Sequence, residues 1–145
     1  MVRRPVAFVT AIVLFVEAVG IVIVNGVLAT VAGNQSMSLA GMDPDAMVTG
    51  TWVMGGVSGV LLVLCGLIPL LAGIRDRAPG RVGRITLIAC AVVHGVLGAL
   101  AVGLIGWAAF VFLMVVLGLI VLTLVAFDRR DPEAVKPTGA APEPV

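Results

Sequence analysis

Charge is what this sequence has least of. Across 145 residues only 12% are Asp, Glu, Lys or Arg, against 61% apolar, and the mean hydropathy is +1.22. A soluble domain carries about 25% charged residues, so this balance excludes one and describes a chain dissolved in a bilayer. The net charge of +1 gives no general basic field, and no nucleic-acid partner is expected. Tyrosine is missing, histidine occurs once and cysteine twice. One imidazole cannot supply bis-histidine haem ligation within a chain. Cys65 and Cys90 lie inside apolar runs, away from any oxidising loop, and are expected as unpaired small core residues. No nucleophile elbow, Walker loop or HExxH pattern occurs, so no catalytic motif supports an enzyme.

What the sequence does have is long apolar runs. They are apolar on all sides, which argues against the short alternating segments of a membrane barrel. A hydrocarbon core about 30 Å thick needs roughly 20 helical residues. The first run goes from about Pro5 to Ala32 behind Arg3 and Arg4, with Pro5 suited to a first helical turn. Arg3, Arg4 and Thr30-Val31-Ala32 could also mark the ends of a secretory signal. Its apolar stretch is, however, about twice the usual 7 to 15 residues and carries Glu17, so it is expected to stay as a span. A second run starts near Thr51 and ends before Arg75. Residues 85–127 then hold no Asp, Glu, Lys or Arg, and a single helix over them would be about 65 Å long, twice the hydrocarbon thickness. The chain must fold back there, and VGLIGW, Val102 to Trp107, has the glycines and the interface-seeking Trp for it.

The sequence therefore predicts an all-α membrane protein, a four-transmembrane-helix bundle of antiparallel hairpins. Spans fall at about 5–30, 51–74, 85–103 and 107–127 within a domain over residues 1–130, and a Pro- and Ala-rich tail, 131–145, is expected to be disordered. All nine basic residues fall on one side of this layout: Arg3 and Arg4, the four arginines of RDRAPGRVGR, and Arg129, Arg130 and Lys136. The positive-inside rule makes that side the cytoplasm, with both termini in and a multi-pass location in a cytoplasmic (inner) membrane. The loop GNQSMSLAGMDPDAMVTG has no Lys or Arg and faces outward, where Trp52 and Trp107 form an aromatic belt. Asp43-Pro44-Asp45 reads as a helix cap leading into a short interfacial helix ahead of the second span. Arginines of the central loop and tail are placed to touch anionic lipid heads, although positive-inside topology accounts for them without that.

Membrane helices associate through small residues and polar contacts, since lipid tails are as apolar as Leu. On the second span Gly55, Gly59, Gly66 and Gly73 share one stripe, with a GxxxG and a seven-residue recurrence, while Val57, Leu61, Leu64, Ile68 and Leu71 fall opposite. On the third span Cys90, Ala91, His94, Gly98 and Ala101 share a face. On the first, Thr10, Val13, Glu17, Gly20, Ile21 and Val24 do, with Phe8, Ile12, Phe15 and Val19 turned away. The fourth distinguishes no face and should be the most lipid-exposed. Gly55, Gly59, Gly66, Gly73 and Gly98 are thus the candidate helix-packing positions, and Asn25 is expected at the outer interface, bound to water or headgroups.

Glu17 is the one carboxylate inside a span. Counted from the flanking arginines it lies about 20 Å deep, and His94 and Cys65 about 15 Å, so depth permits them to meet. A carboxyl without a partner in hydrocarbon favours its neutral form, whereas a protonated imidazole beside it permits a charged pair. Glu17 with His94 is therefore the candidate proton-titratable polar site, and the plainer alternative is that Glu17 only holds helices in register by a hydrogen bond to His94, Thr10 or a carbonyl. Cys90 and His94, at i and i+4, suit two metal ligands on one face, but no third ligand has metal spacing; no metal or cofactor is expected.

A Glu within the first of four spans, an Arg-rich central loop and a charged tail resemble the small uncharacterised four-helix integral membrane proteins of high-G+C, actinobacterial-type bacteria, a likeness that implies no activity. Glu17-Ala18-Val19-Gly20 resembles the first-helix glutamate of the small multidrug resistance transporters, which implies a carboxylate exchanging protons for cationic drugs. That family's aromatic-lined site has no counterpart, since Tyr is absent and both Trp lie at the rim. The expected function is a non-enzymatic accessory, scaffold or regulatory membrane component acting through helix contacts, with the bilayer and a second copy or another membrane protein as partners. The alternative is a small proton-coupled transporter using Glu17 and His94.

Overall fold

The computed structural model describes residues 3–35, 41 and 43–128. The expectation of a disordered tail over 131–145 lies outside the described residues, as does most of the loop ahead of Asp43. Four helices account for nearly all the rest: α1 (Arg3–Asn34), α2 (Pro44–Arg75), α3 (Arg81–Leu104) and α4 (Trp107–Asp128). There is no strand among the described residues, and all four helices are long and apolar enough to cross a membrane, the architecture of a multi-pass membrane protein. At 1.5 Å per residue α1 and α2 are each about 48 Å long, α3 about 36 Å and α4 about 33 Å, so the first pair overreaches a hydrocarbon core of about 30 Å.

The helix ends follow from their caps. The Asp43 carboxylate accepts from the backbone N–H of Asp45 at 2.8 Å and of Ala46 at 3.4 Å, with Pro44 in the first turn. The cap expected at Asp43 is thus present, but it opens α2 itself, which runs unbroken to Arg75; among the described residues no separate interfacial helix precedes the span. At its other end Asp76 takes the left-handed conformation (φ 49°) and returns its N–H to the Ala72 carbonyl, while the Arg4 guanidinium donates to Gly73 O at 3.1 Å and Ile74 O at 3.5 Å. Between α3 and α4 the N–H groups of Ile105 and Gly106 both return to Ala101 O. Gly106 has φ +120°, a conformation that a side chain would strain. The fold-back thus sits within VGLIGW.

The two pairs α1·α2 and α3·α4 pack most extensively. Along α1·α2 the meeting points run in opposite order on the two helices: Gly73 meets Ala7 and Phe8, Gly66 meets Leu14 and Phe15, Gly59 meets Val22, Gly55 meets Asn25, and Trp52 lies over Gly26. A methyl group built on Gly55 would stand 2.5 Å from Asn25 Cβ, and one on Gly59 2.6 Å from Val22 Cγ2. Only glycine permits that approach. Gly98 of α3 packs against Met114 of α4, where the nearest atom is the flexible end of the methionine rather than a fixed part of the helix.

Several faces differ from those expected. On α1 the buried positions are Ala7, Thr10, Ala11, Leu14, Ala18, Gly26, Ala29 and Ala32. Phe8 and Phe15, expected to turn away, fill the hollows left by Gly73 and Gly66, and Val24, expected inward, is 53% exposed. The reason is that α1 has two covered faces, an alanine-lined one against α2 and a polar one toward α3 and α4, and a stripe centred on Glu17 captures only the second. Ile68 of α2, expected outward, packs against the core and over Gly83, because α2 also borders α3. Asn25 packs on Gly55 and donates to its own Ile21 carbonyl at 2.8 Å.

Overpacking a tight contact costs about 1 to 3 kcal/mol. Gly55→Ala should therefore lower the thermal midpoint in detergent by several degrees, whereas Gly56→Ala, whose added methyl meets nothing within 4 Å, should not lower it; melting curves of the two proteins side by side check this.

Candidate functional site

The interior of the bundle is small. One apolar cluster draws Leu14 from α1, Cys65 from α2, Leu87 and Cys90 from α3, and Val116 and Ile120 from α4. Through and beside it runs a line of polar side chains, and the sequence-predicted pair lies at its centre. His94 is 3% exposed and the Glu17 side chain 13%. His94 Nε2 stands 3.0 Å from Glu17 Oε2 and 3.2 Å from Oε1, so the structure brings the two together across α1 and α3. Helical spacing then places Cys90 one turn from His94. The imidazole Nδ1 lies 2.8 Å from the Cys90 carbonyl oxygen and 3.7 Å from its sulfur. Cys65 of α2 belongs to the same apolar cluster as Cys90. Both cysteines are free.

These contacts fix the proton inventory of the pair. A carbonyl oxygen only accepts, so Nδ1 bears a hydrogen. Nε2 and the carboxyl group can then face each other at 3.0 Å only with one proton between them, either as a carboxylic acid donating to a neutral ring or as an imidazolium donating to a carboxylate. Both forms have the same composition and zero net charge. The neutral acid and the ion pair contemplated from the sequence are thus two positions of a single proton.

A second contact was not foreseen. Thr10 of α1 and Thr123 of α4 are both fully buried, with their hydroxyl oxygens 2.8 Å apart. Each hydroxyl also lies within reach of its own helix, Thr10 of the Val6 carbonyl and Thr123 of the Leu119 carbonyl, both at 2.9 Å, and Thr10 lies 3.2 Å from Leu119 O as well, so one hydroxyl can donate to a carbonyl while the other donates across to it. Thr10, weighed as a partner for Glu17, is instead a link to α4. The signal was present in the sequence: Thr123 is the only side chain in FVFLMVVLGLIVLTLVAF able to hydrogen-bond, and in hydrocarbon such a group must find a partner. Among the described residues no buried side-chain oxygen or nitrogen lacks one, and no three His, Cys, Asp or Glu side chains are grouped to hold a metal ion.

The candidate packing glycines divide between two interfaces, with Gly55, Gly59, Gly66 and Gly73 against α1 and Gly98 against α4. An open groove of about 520 Å³ lies on the outer side of the α1·α2 contact, lined among others by Ala18, Val22, Gly56 and Val63. It borders neither Glu17 nor His94. In comparisons with known proteins, no family model, curated protein or solved structure matches this chain.

Hydrogen bonds between membrane helices contribute on average about 0.6 kcal/mol, with a maximum of about 1.7. Thr123→Val should destabilise the protein by about 1 kcal/mol, and the double variant with Thr10→Val should cost less than the sum of the two single changes, since they share one bond. Reversible unfolding in mixed micelles, run as a double-mutant cycle, measures it.

Proposed function

We propose that this chain is a non-enzymatic accessory, scaffold or regulatory component of a bacterial cytoplasmic membrane that acts through helix contacts. It is an antiparallel four-helix bundle with both termini inside the cell. The observation that carries this reading is the closure of the polar line. Both ring nitrogens of His94 and both hydroxyls of the threonine pair have partners within the chain, so these groups are engaged in holding helices together. The outer side of α1 and α2 is apolar and suits the bilayer, a second copy or another membrane protein. Orientation is supported by the nine basic residues on one side of the layout. Arg4 reaching the end of α2 accords with Arg3, Arg4 and the central loop sharing a membrane face.

The shared proton favours a second reading, a small proton-coupled transporter. Removing that proton would set a carboxylate oxygen against the lone pair of Nε2 at 3.0 Å, a repulsion relieved by separating α1 from α3. Protonation would thereby be coupled to opening of the bundle.

One substitution separates the two. Glu17→Gln keeps the shape of the side chain and removes its titration. In the accessory reading, proteoliposomes of wild type and variant show no pH-driven flux across a panel of cationic solutes, and the variant recovers the same membrane partners as wild type. Flux in wild type that Glu17→Gln abolishes would establish the transporter instead.

A further inference from the structure

The turn from α2 to α3 encloses a pocket of about 340 Å³ whose lining includes Ile68, Leu71 and Ala72 on one side and Arg75, Arg77 and Gly80 on the other. Its chemistry is split, with aliphatic carbon toward the span and guanidinium groups at the end of the helix. Neither guanidinium is engaged within the protein: among the described residues Arg75 and Arg77 make no side-chain hydrogen bond or ion pair, even with Asp76 between them. The α2 carbonyls they could have capped are already taken. Arg4 holds those of Gly73 and Ile74, and the N–H groups of Asp76 and Arg77 return to Ala72. Across the pocket α3 begins at Gly80, where no side chain caps the helix.

We infer that this pocket binds the phosphate of an anionic phospholipid, with Arg75 and Arg77 on the headgroup and the aliphatic wall of α2 on the first methylenes of an acyl chain. Two exposed, unpaired arginines lining a pocket beside the start of a helix supply the charge and the hydrogen-bond donors that a phosphate diester takes. The adjoining aliphatic wall selects a phosphate that carries a tail over a free one. The pocket also lies where a headgroup is found, at the end of a membrane-spanning helix, next to a loop with four arginines and one aspartate, Arg75 to Arg84. The inference holds whether the bundle serves as a scaffold or as a transporter.

Native mass spectrometry of the full chain in detergent tests it, comparing retention of phosphatidylglycerol, phosphatidylcholine and tail-less glycerol 3-phosphate. Wild type should hold phosphatidylglycerol about tenfold more tightly than phosphatidylcholine, and Arg75→Gln/Arg77→Gln should remove most of that preference. Gly80→Leu places a side chain into open space with charge unchanged, and should weaken retention to a similar degree with the thermal midpoint preserved. Equal retention of the two lipids by wild type overturns the site, as does full retention by Gly80→Leu. So does an equal loss in Arg129→Gln/Arg130→Gln, which removes the same charge elsewhere. Glycerol 3-phosphate bound as tightly as phosphatidylglycerol overturns the lipid as the source of the phosphate.

Discussion

In hydrocarbon, burying Leu against Leu gains almost nothing over burying it in lipid, so helices stay together only where backbones approach closely or polar groups meet. This chain uses the two devices at different places. Close approach joins α1 to α2 through the glycines at 55, 59, 66 and 73, and α3 to α4 through Gly98. Polar contact joins the two pairs, by Glu17 to His94 between α1 and α3 and by Thr10 to Thr123 between α1 and α4. A six-residue apolar cluster fills the space between. Helix α1 belongs to both arrangements, with alanines and a glycine toward α2 and Thr10 and Glu17 turned to the other pair. The carboxylate in AIVLFVEAVGIVIV thus has a structural reason: it is the only acidic group inside a span, and it faces the only imidazole in the chain.

Much of this was legible in the sequence because the membrane is a severe constraint. Span number followed from run length against bilayer thickness, and the fold-back near Gly106 from a run too long for one crossing. The Asp43 cap was readable from its chemistry, although not that the helix would continue through it into the span. The glycine stripe of α2 was readable because glycine recurring every seven residues marks a close seam. The faces of α1 were harder. A helix with two partners has no single buried stripe, so placing Glu17 at the centre assigned Phe8 and Phe15 to lipid when they fill the hollows over Gly73 and Gly66. Bulky rings pack where the opposite helix offers no side chain, and that complementarity belongs to the pair rather than to either segment.

The polar line shows the same limit. Glu17 and His94 stood out because each is the sole residue of its kind in the spans and their depths match. Thr123 is as informative in principle, but threonine also bonds back to its own helix, as Thr30, Thr51 and Thr86 do, so its partner depends on a rotation that periodicity leaves open in a uniformly apolar helix. The proton inventory of the pair required atomic contacts. It follows from Nδ1 being committed to the Cys90 carbonyl, which no spacing rule specifies.

A single proton shared by Glu17 and His94 ties α1 to α3. Because the chain has one histidine, solid-state NMR of the labelled protein in lipid bilayers can observe that contact without ambiguity. A direct through-space coupling between the Glu17 carboxyl carbon and His94 Nε2 is expected, with Nδ1 carrying a hydrogen. Absence of that coupling, with Nε2 in contact with water instead, would contradict it.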